Sequence, residues 1–208
     1  MHGLVLALAI ALGSSGCGSH YELVAAFNRL RGDAYALDAI PRDVGDGAAL
    51  DCPANIPTIE YRGELIAYSA PIQVAAAFAV KLRRFERLVV DVATDHYGRA
   101  PDRLLHFGAR VCRSVRGNPQ RLSEHALGNA LDLSGFEWKR AAGAPGTAAF
   151  RVSVQRDWSG HAGHAEFLHD LIDRVIAGEL FRGVIGPGRE GHANHVHLDQ
   201  APWSYTLF

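Results

Sequence analysis

Two short stretches constrain this chain more than the rest of it: Ser123-Glu124-His125-Ala126-Leu127-Gly128-Asn129-Ala130-Leu131-Asp132, and His192-Ala193-Asn194-His195-Val196-His197-Leu198-Asp199. His125, Asp132 and His197 offer two imidazoles and a carboxylate, the donor set that a catalytic divalent metal takes while one position stays open to water. In an extended segment, alternation puts His195, His197 and Asp199 on one face and Val196 and Leu198 on the other. Leu131 and Leu133 flank Asp132 in the same way, so its carboxylate is expected on the polar face of a short apolar strand. Gly128 lets the backbone bend or be approached closely between the two ligands. These residues predict a metal site with hydrolytic potential. A closed structural site is the alternative, should a fourth side chain fill the open position.

The chain carries 11 histidines, and a histidine is more often a surface or hydrogen-bonded core residue than a ligand. His2, His20, His96, His106, His161, His164 and His169 are read in that way. His125 with Asp132, and the cluster His192, His195 and His197, are read as metal-related because the donor types recur at compatible spacing. Iron(II), manganese or cobalt would suit two histidines and one carboxylate as well as zinc does.

The pattern Ser-x-His-x-x-Gly-x-Ala-x-Asp followed by His-x-His resembles the zinc peptidases of the D-alanyl-D-alanine carboxypeptidase, lysostaphin and hedgehog type. Cys112-Arg113, the run Leu122 to Phe136, Asp157-Trp158, Phe167-Leu168, Val184 to Gly188 and His192 to Asp199 resemble, more closely, the bacterial extensin-like C-terminal domain over about residues 50 to 200. The Ser-Pro repeats of true extensins are not present. The resemblance implies one zinc per chain, held by His125, Asp132 and His197. The carboxypeptidases place a catalytic Glu three residues before the last ligand, where this chain has Asn194. His192-x-x-His195-x-His197 is instead similar to the penicillin-insensitive murein endopeptidases, with imidazoles near that position. A neutral imidazole with a pKa near about 6.5 accepts a proton readily, so His195, then His192, is the expected base, with Glu190 behind them. Arg113 resembles an Arg that precedes the first ligand, suited to an oxyanion or a substrate carboxylate; a loop-anchoring Arg is the other reading. Ser123 and Glu124 are expected to brace the His125 loop, and Asp199 to orient a ligand histidine. The implied reaction is hydrolysis of an amide in the stem or cross-bridge peptides of peptidoglycan, the expected partner.

Gly3 to Leu12 form an apolar run too short to span a bilayer, followed by small residues leading to Cys17. That looks like a bacterial lipoprotein signal over residues 1–16, with Cys17 lipidated, a membrane anchor and an envelope location; ordinary signal cleavage is the alternative. Cys52 and Cys112 then remain, and two cysteines in an exported chain suggest one disulfide. Residues 17–50 read as a tether or leader and residues 51–208 as the catalytic domain. A net charge of −1 and no basic patch give no indication of nucleic acid. Helices are expected over 71–93 and 162–181, with a surface loop or hairpin tip over 140–150. The predicted architecture is α+β: a small antiparallel sheet carrying the metal ligands, with helices packed against it. Two other functions stay open: a wall-binding module that keeps the zinc without turnover, supported by Asn194, and a serine hydrolase using Ser123, His125 and Asp132, which lacks a Gly-x-Ser-x-Gly elbow.

Overall fold

The computed structural model describes residues 37–45, 50–140, 148–160 and 163–208. In chain order its elements are strands β1 (Thr58–Tyr61), β2 (Ala67–Tyr68) and β3 (Ile72–Ala75), helix α1 (Ala76–Tyr97), and strands β4 (Arg103–His106), β5 (Ser114–Val115) and β6 (Asn118–Leu122). A 3-10 turn (Glu124–Leu127) then leads to β7 (Ala130–Trp138), β8 (Phe150–Ser153), α2 (Val154–Asp157) and α3 (His164–Ala177). Strands β9 (Gly183–Ile185), β10 (Val196–Asp199) and β11 (Tyr205–Leu207) complete the order. The architecture is α+β.

The ligand-bearing sheet has seven strands in the order β11-β9-β10-β7-β4-β2, with β8 also on β7. Its middle is antiparallel as expected, while β11 on β9 and β2 on β4 add parallel pairings at the two edges. Strand β7 organises it, because its first half pairs with β10 and its second half with β8. The alternation of β7 would put Leu131 and Leu133 on one face and Phe136 and Trp138 on the other. A register shift opposite Leu105 and His106 absorbs one residue, so all four are buried in one core. Gly135 makes the shift feasible: its φ is 151°, and a Cβ there would stand 2.2 Å from the Val152 carbonyl oxygen.

Helices α1 and α3 pack on that core. In α1, Phe78, Leu82, Phe85, Val89 and Val92 recur at helical spacing and are buried; in α3, Phe167, Leu168, Leu171, Ile172 and Val175 do the same. Trp138, Phe150, Phe167 and Tyr97 interlock at ring separations of 4.6–5.7 Å. Helix α1 starts at Ala76 rather than at residue 71, because Ile72–Ala75 is a strand that pairs with Thr58–Tyr61. It runs on to Tyr97, where Gly98 in the left-handed region donates to the Thr94 carbonyl. Helix α3 stops at Ala177, and Phe181 leaves it to pack on Phe78 and Phe85. Strands β7 and β8, on either side of the 140–150 connection, pair antiparallel; residues 141–147 lie outside the described part, as do the signal segment and Cys17.

Residues 37–45, placed above in the leader, pack into the domain: Leu37, Asp38 and Arg42 are buried, and Asp43 bridges to Arg121. Cys52 and Cys112 are disulfide-bonded with Cα atoms 5.8 Å apart. No helix among the described residues is long and apolar enough to cross a membrane. Because the bond closes a 60-residue separation, the chain-entropy model assigns it about 4 kcal/mol. Replacing both cysteines by alanine is therefore expected to lower unfolding stability by up to about that amount, read from urea denaturation of parent and variant.

Candidate metal centre

Strands β7 and β10 pair so that His197 lies opposite Asp132. Both side chains leave the same face of the sheet, while Leu131, Leu133, Val196 and Leu198 fill the core on the other. His125 arrives from the 3-10 turn, whose start is capped by Ser123 Oγ accepting from the His125 N–H at 3.3 Å. Gly128 ends that turn in the left-handed region, φ 64°. It also lies so close to β3 that a Cβ would come within 2.8 Å of the Ala75 nitrogen.

The three side chains converge on one point. His125 Nε2 lies 3.1 Å from Asp132 Oδ1 and 3.1 Å from His197 Nδ1, and His197 Nδ1 lies 3.0 Å from Asp132 Oδ1. These edges are close to the roughly 3.3 Å that separates ligands held about 2.0 Å from a tetrahedral metal. The outer nitrogens are committed: His125 Nδ1 donates to the Ala109 carbonyl at 2.5 Å, and His197 Nε2 donates to Asp199 Oδ2 at 2.8 Å. Those two bonds fix the tautomers, so both inner nitrogens present lone pairs toward each other and toward a carboxylate oxygen. Three electron-rich atoms gathered in this way want a cation, and the donor set therefore fits a metal. No fourth His, Cys, Asp or Glu among the described residues joins the group.

The electrostatics of the metal-free side chains say the same. Burial opposes protonation of His197, but its hydrogen bonds to Asp132 and Asp199 outweigh that and raise its pKa to about 9. Burial likewise opposes ionisation of Asp132, yet the close approach of the His125 and His197 rings holds its carboxyl far below the usual carboxylate range. A proton on His197 relieves the crowding of lone pairs, in the place a metal would take.

A cleft of about 610 Å³ opens beside the cluster and is lined by Asp132, His197, His195, His192, Arg113 and Glu190 among others. His195 Nε2 lies 3.6 Å from Asp132 Oδ1. Its Nδ1 donates to Asn194 Oδ1 at 2.8 Å, so the Nε2 lone pair faces the centre. Burial pushes the His195 pKa down to about 4, and His192, its ring 4.9 Å away, is also lowered by burial. Both imidazoles are neutral near pH 7. Arg113 lies on the cleft wall, where its guanidinium donates to the Ser114 carbonyl at 3.3 Å and its own carbonyl accepts from Ser123 N–H. His125 Nε2 points at Asp132 and His197 rather than at Ser123, so no serine nucleophile and base pair forms. Among the histidines read as structural, His96 pairs with Asp170, His106 with the Ala70 carbonyl, His164 with Tyr97 and His169 with the Trp158 carbonyl.

Glu124 braces the His125 loop as expected, but three of the groups around it and Asp199, namely Arg42, Asn129 and Tyr205, were not legible from the sequence. The Glu124 carboxylate is buried behind His125, where Arg42 grips it with Nε at 2.7 Å and Nη2 at 2.8 Å. Asn129 donates to the same carboxylate at 2.6 Å and to the Gln200 carbonyl at 2.9 Å. Tyr205 donates to Asp199 Oδ2, the atom that also receives the His197 proton. Asn129 lies within the motif and Tyr205 just beyond it, but Arg42 stands more than eighty positions upstream, where no spacing rule links it to His125.

A family model described as extensin-like protein C-terminus matches residues 31–206. The chain belongs to this family. The extensin-like domain so defined includes residues 37–45, and with them Arg42, together with both halves of the metal cluster. No curated protein and no solved structure matches the chain.

Two outcomes follow from this geometry. A group whose pKa is raised on folding stabilises fully below its unfolded value, about 6.5 for histidine. For His197 that contribution fades as pH rises through about 9. In chelator-treated protein, the stability lost on His197→Gln is expected to be largest near pH 6 and to shrink as pH rises through about 9, by urea denaturation across that range. Arg42→Met leaves the buried Glu124 charge without its ion pair and is expected to cost about 3–5 kcal/mol, whereas the double change Arg42→Met with Glu124→Gln recovers part of it.

Proposed function

We propose that this extensin-like domain is a zinc-dependent peptidase that hydrolyses amide bonds in peptidoglycan stem or cross-bridge peptides. The observation that carries the reading is the convergence of His125 Nε2, Asp132 Oδ1 and His197 Nδ1 beside an open cleft, with the His195 lone pair adjoining. The motif's likeness to zinc carboxypeptidases and murein endopeptidases supplies the substrate class.

His125, Asp132 and His197 would hold the zinc, which when bound polarises a carbonyl and acidifies water. The remaining work belongs to the protein. His195 is neutral, buried on one side and held by Asn194, so its Nε2 receives the proton of the attacking water and returns it to the leaving amine. His192, its ring 4.9 Å from that of His195, is the second candidate for the same role. Asp199 and Tyr205 fix the His197 ring, and Ala109 fixes that of His125. Arg113, on the cleft wall, supplies positive charge toward the developing oxyanion. The Cys52–Cys112 disulfide supports an exported, oxidising location in the bacterial envelope, with a lipid on Cys17 as the proposed anchor.

A second reading, a wall-binding lipoprotein without turnover, is favoured by Asn194 where the carboxypeptidases carry Glu. The two are separated by metal analysis followed by muropeptide digestion. The parent is expected to hold about one zinc per chain and to release peptide fragments. His125→Ala and His197→Ala lose the metal, while His195→Gln keeps it and turns over about 10²–10⁴ times more slowly. A parent that binds no metal even with zinc supplied removes the peptidase reading; a zinc-loaded parent that binds peptidoglycan without cutting it establishes the second.

A further inference from the structure

One hairpin builds a whole wall of the cleft. Strands β5 and β6 pair antiparallel and place Arg116 at the tip and Arg121 near the base, both on the cleft lining. The loop between β9 and β10 contributes Arg189 to the same lining. Among the described residues, none of these three guanidiniums forms an ion pair, unlike Arg42, Arg62, Arg83, Arg99, Arg103, Arg156, Arg174 and Arg182. Three of the four acids on the lining are already engaged: Glu124 by Arg42, and Asp132 and Asp199 by the ligand histidines. Glu190, exposed at the rim, is the fourth.

Arg121 is not merely loose surface charge. Its guanidinium carbon lies 3.7 Å from the centre of the Trp203 ring. Stacking of that kind immobilises the planar fork and leaves its in-plane N–H groups directed outward, the geometry that grips a carboxylate through two bonds. The Arg116 guanidinium lies close to Gly191, where a Cβ would meet its Nη1 at 2.5 Å, one residue from His192. Arg116, beside Gly191, and Arg121, over Trp203, both line the space that opens on Asp132 and His197.

We propose that Arg116, Arg121 and Arg189 form a carboxylate-binding subsite that anchors an acidic peptide alongside the metal centre, so the cleft selects substrates by free carboxylates flanking the scissile amide. The identity of the peptide rests on the peptidase reading; the anion subsite does not. Amidated peptides are then poor ligands. Trp203 contributes the platform for Arg121.

The test uses the full chain, zinc-loaded, and a fluorescently labelled alanyl-γ-glutamyl-lysine tripeptide with both carboxylates free or both amidated. Binding is read by anisotropy, and cleavage is followed separately on muropeptides. The free acid is expected to bind about tenfold or more tightly than the diamide, and this preference is expected to weaken with salt. Arg121→Gln and Arg189→Gln, both at or near the surface, are expected to remove the preference by weakening only the free acid, with thermal unfolding unchanged. Equal binding of acid and diamide, or arginine variants that weaken both alike, overturns the subsite even if muropeptides are cut. Preference for the acid without any cleavage sustains the subsite and overturns only the peptidase reading. Inorganic phosphate that displaces the peptide at equal concentration overturns the assignment to a peptide carboxylate.

Discussion

The antiparallel register that sets His197 opposite Asp132 is the constraint on which the rest of the centre depends. A slip of one residue would turn Val196 and Leu198 toward the cleft and bury the two histidines and Asp199 in the apolar core. The register is secured from both sides. The core face of β7 and β10 is filled by Leu131, Leu133, Val196 and Leu198, each with essentially no exposure, and β9 pairs along the far edge of β10. Register thus fixes two of the three donors with sheet precision, and only His125 needs separate support.

That support explains the buried polar groups around the turn. His125 sits on a short 3-10 segment, which has too few hydrogen bonds to hold a side chain by itself. Glu124, immediately before it, is clamped by Arg42 and Asn129, and Asn129 in turn binds the Gln200 carbonyl just past β10. The segment 37–45, the turn and the end of β10 are therefore one hydrogen-bonded unit. A buried ion pair gives uncertain net stability but fixes geometry. Here it fixes the loop ligand against the strand ligands.

The parts legible in the sequence were those with local periodicity or a tight motif. Alternation around Asp132 and His197 gave the strand faces, and helical spacing gave the cores of α1 and α3. What escaped was non-local. The Ile72–Ala75 segment looks like the start of a helix until its partner Thr58–Tyr61 is known. Glu86 looks like one more solvated charge on α1, yet it is buried and accepts from Tyr61 OH and from the backbone N–H groups of Glu64 and Leu65. The shift in β7 at Gly135 carries no signal beyond the glycine itself. Arg42 is invisible because its partner Glu124 is distant in sequence and close only after folding.

Each wall of the cleft runs without interruption into one half of the metal centre. The β5–β6 hairpin continues from Leu122 through Ser123 into His125, and the glycine-rich loop after β9 continues through His192 and His195 into His197. The hairpin is anchored at its base, since Cys112 precedes β5 and is tied to Cys52, while its tip reaches across to Gly191 through Arg116. The separation of the walls and the separation of His125 from His197 are consequently set by the same backbone.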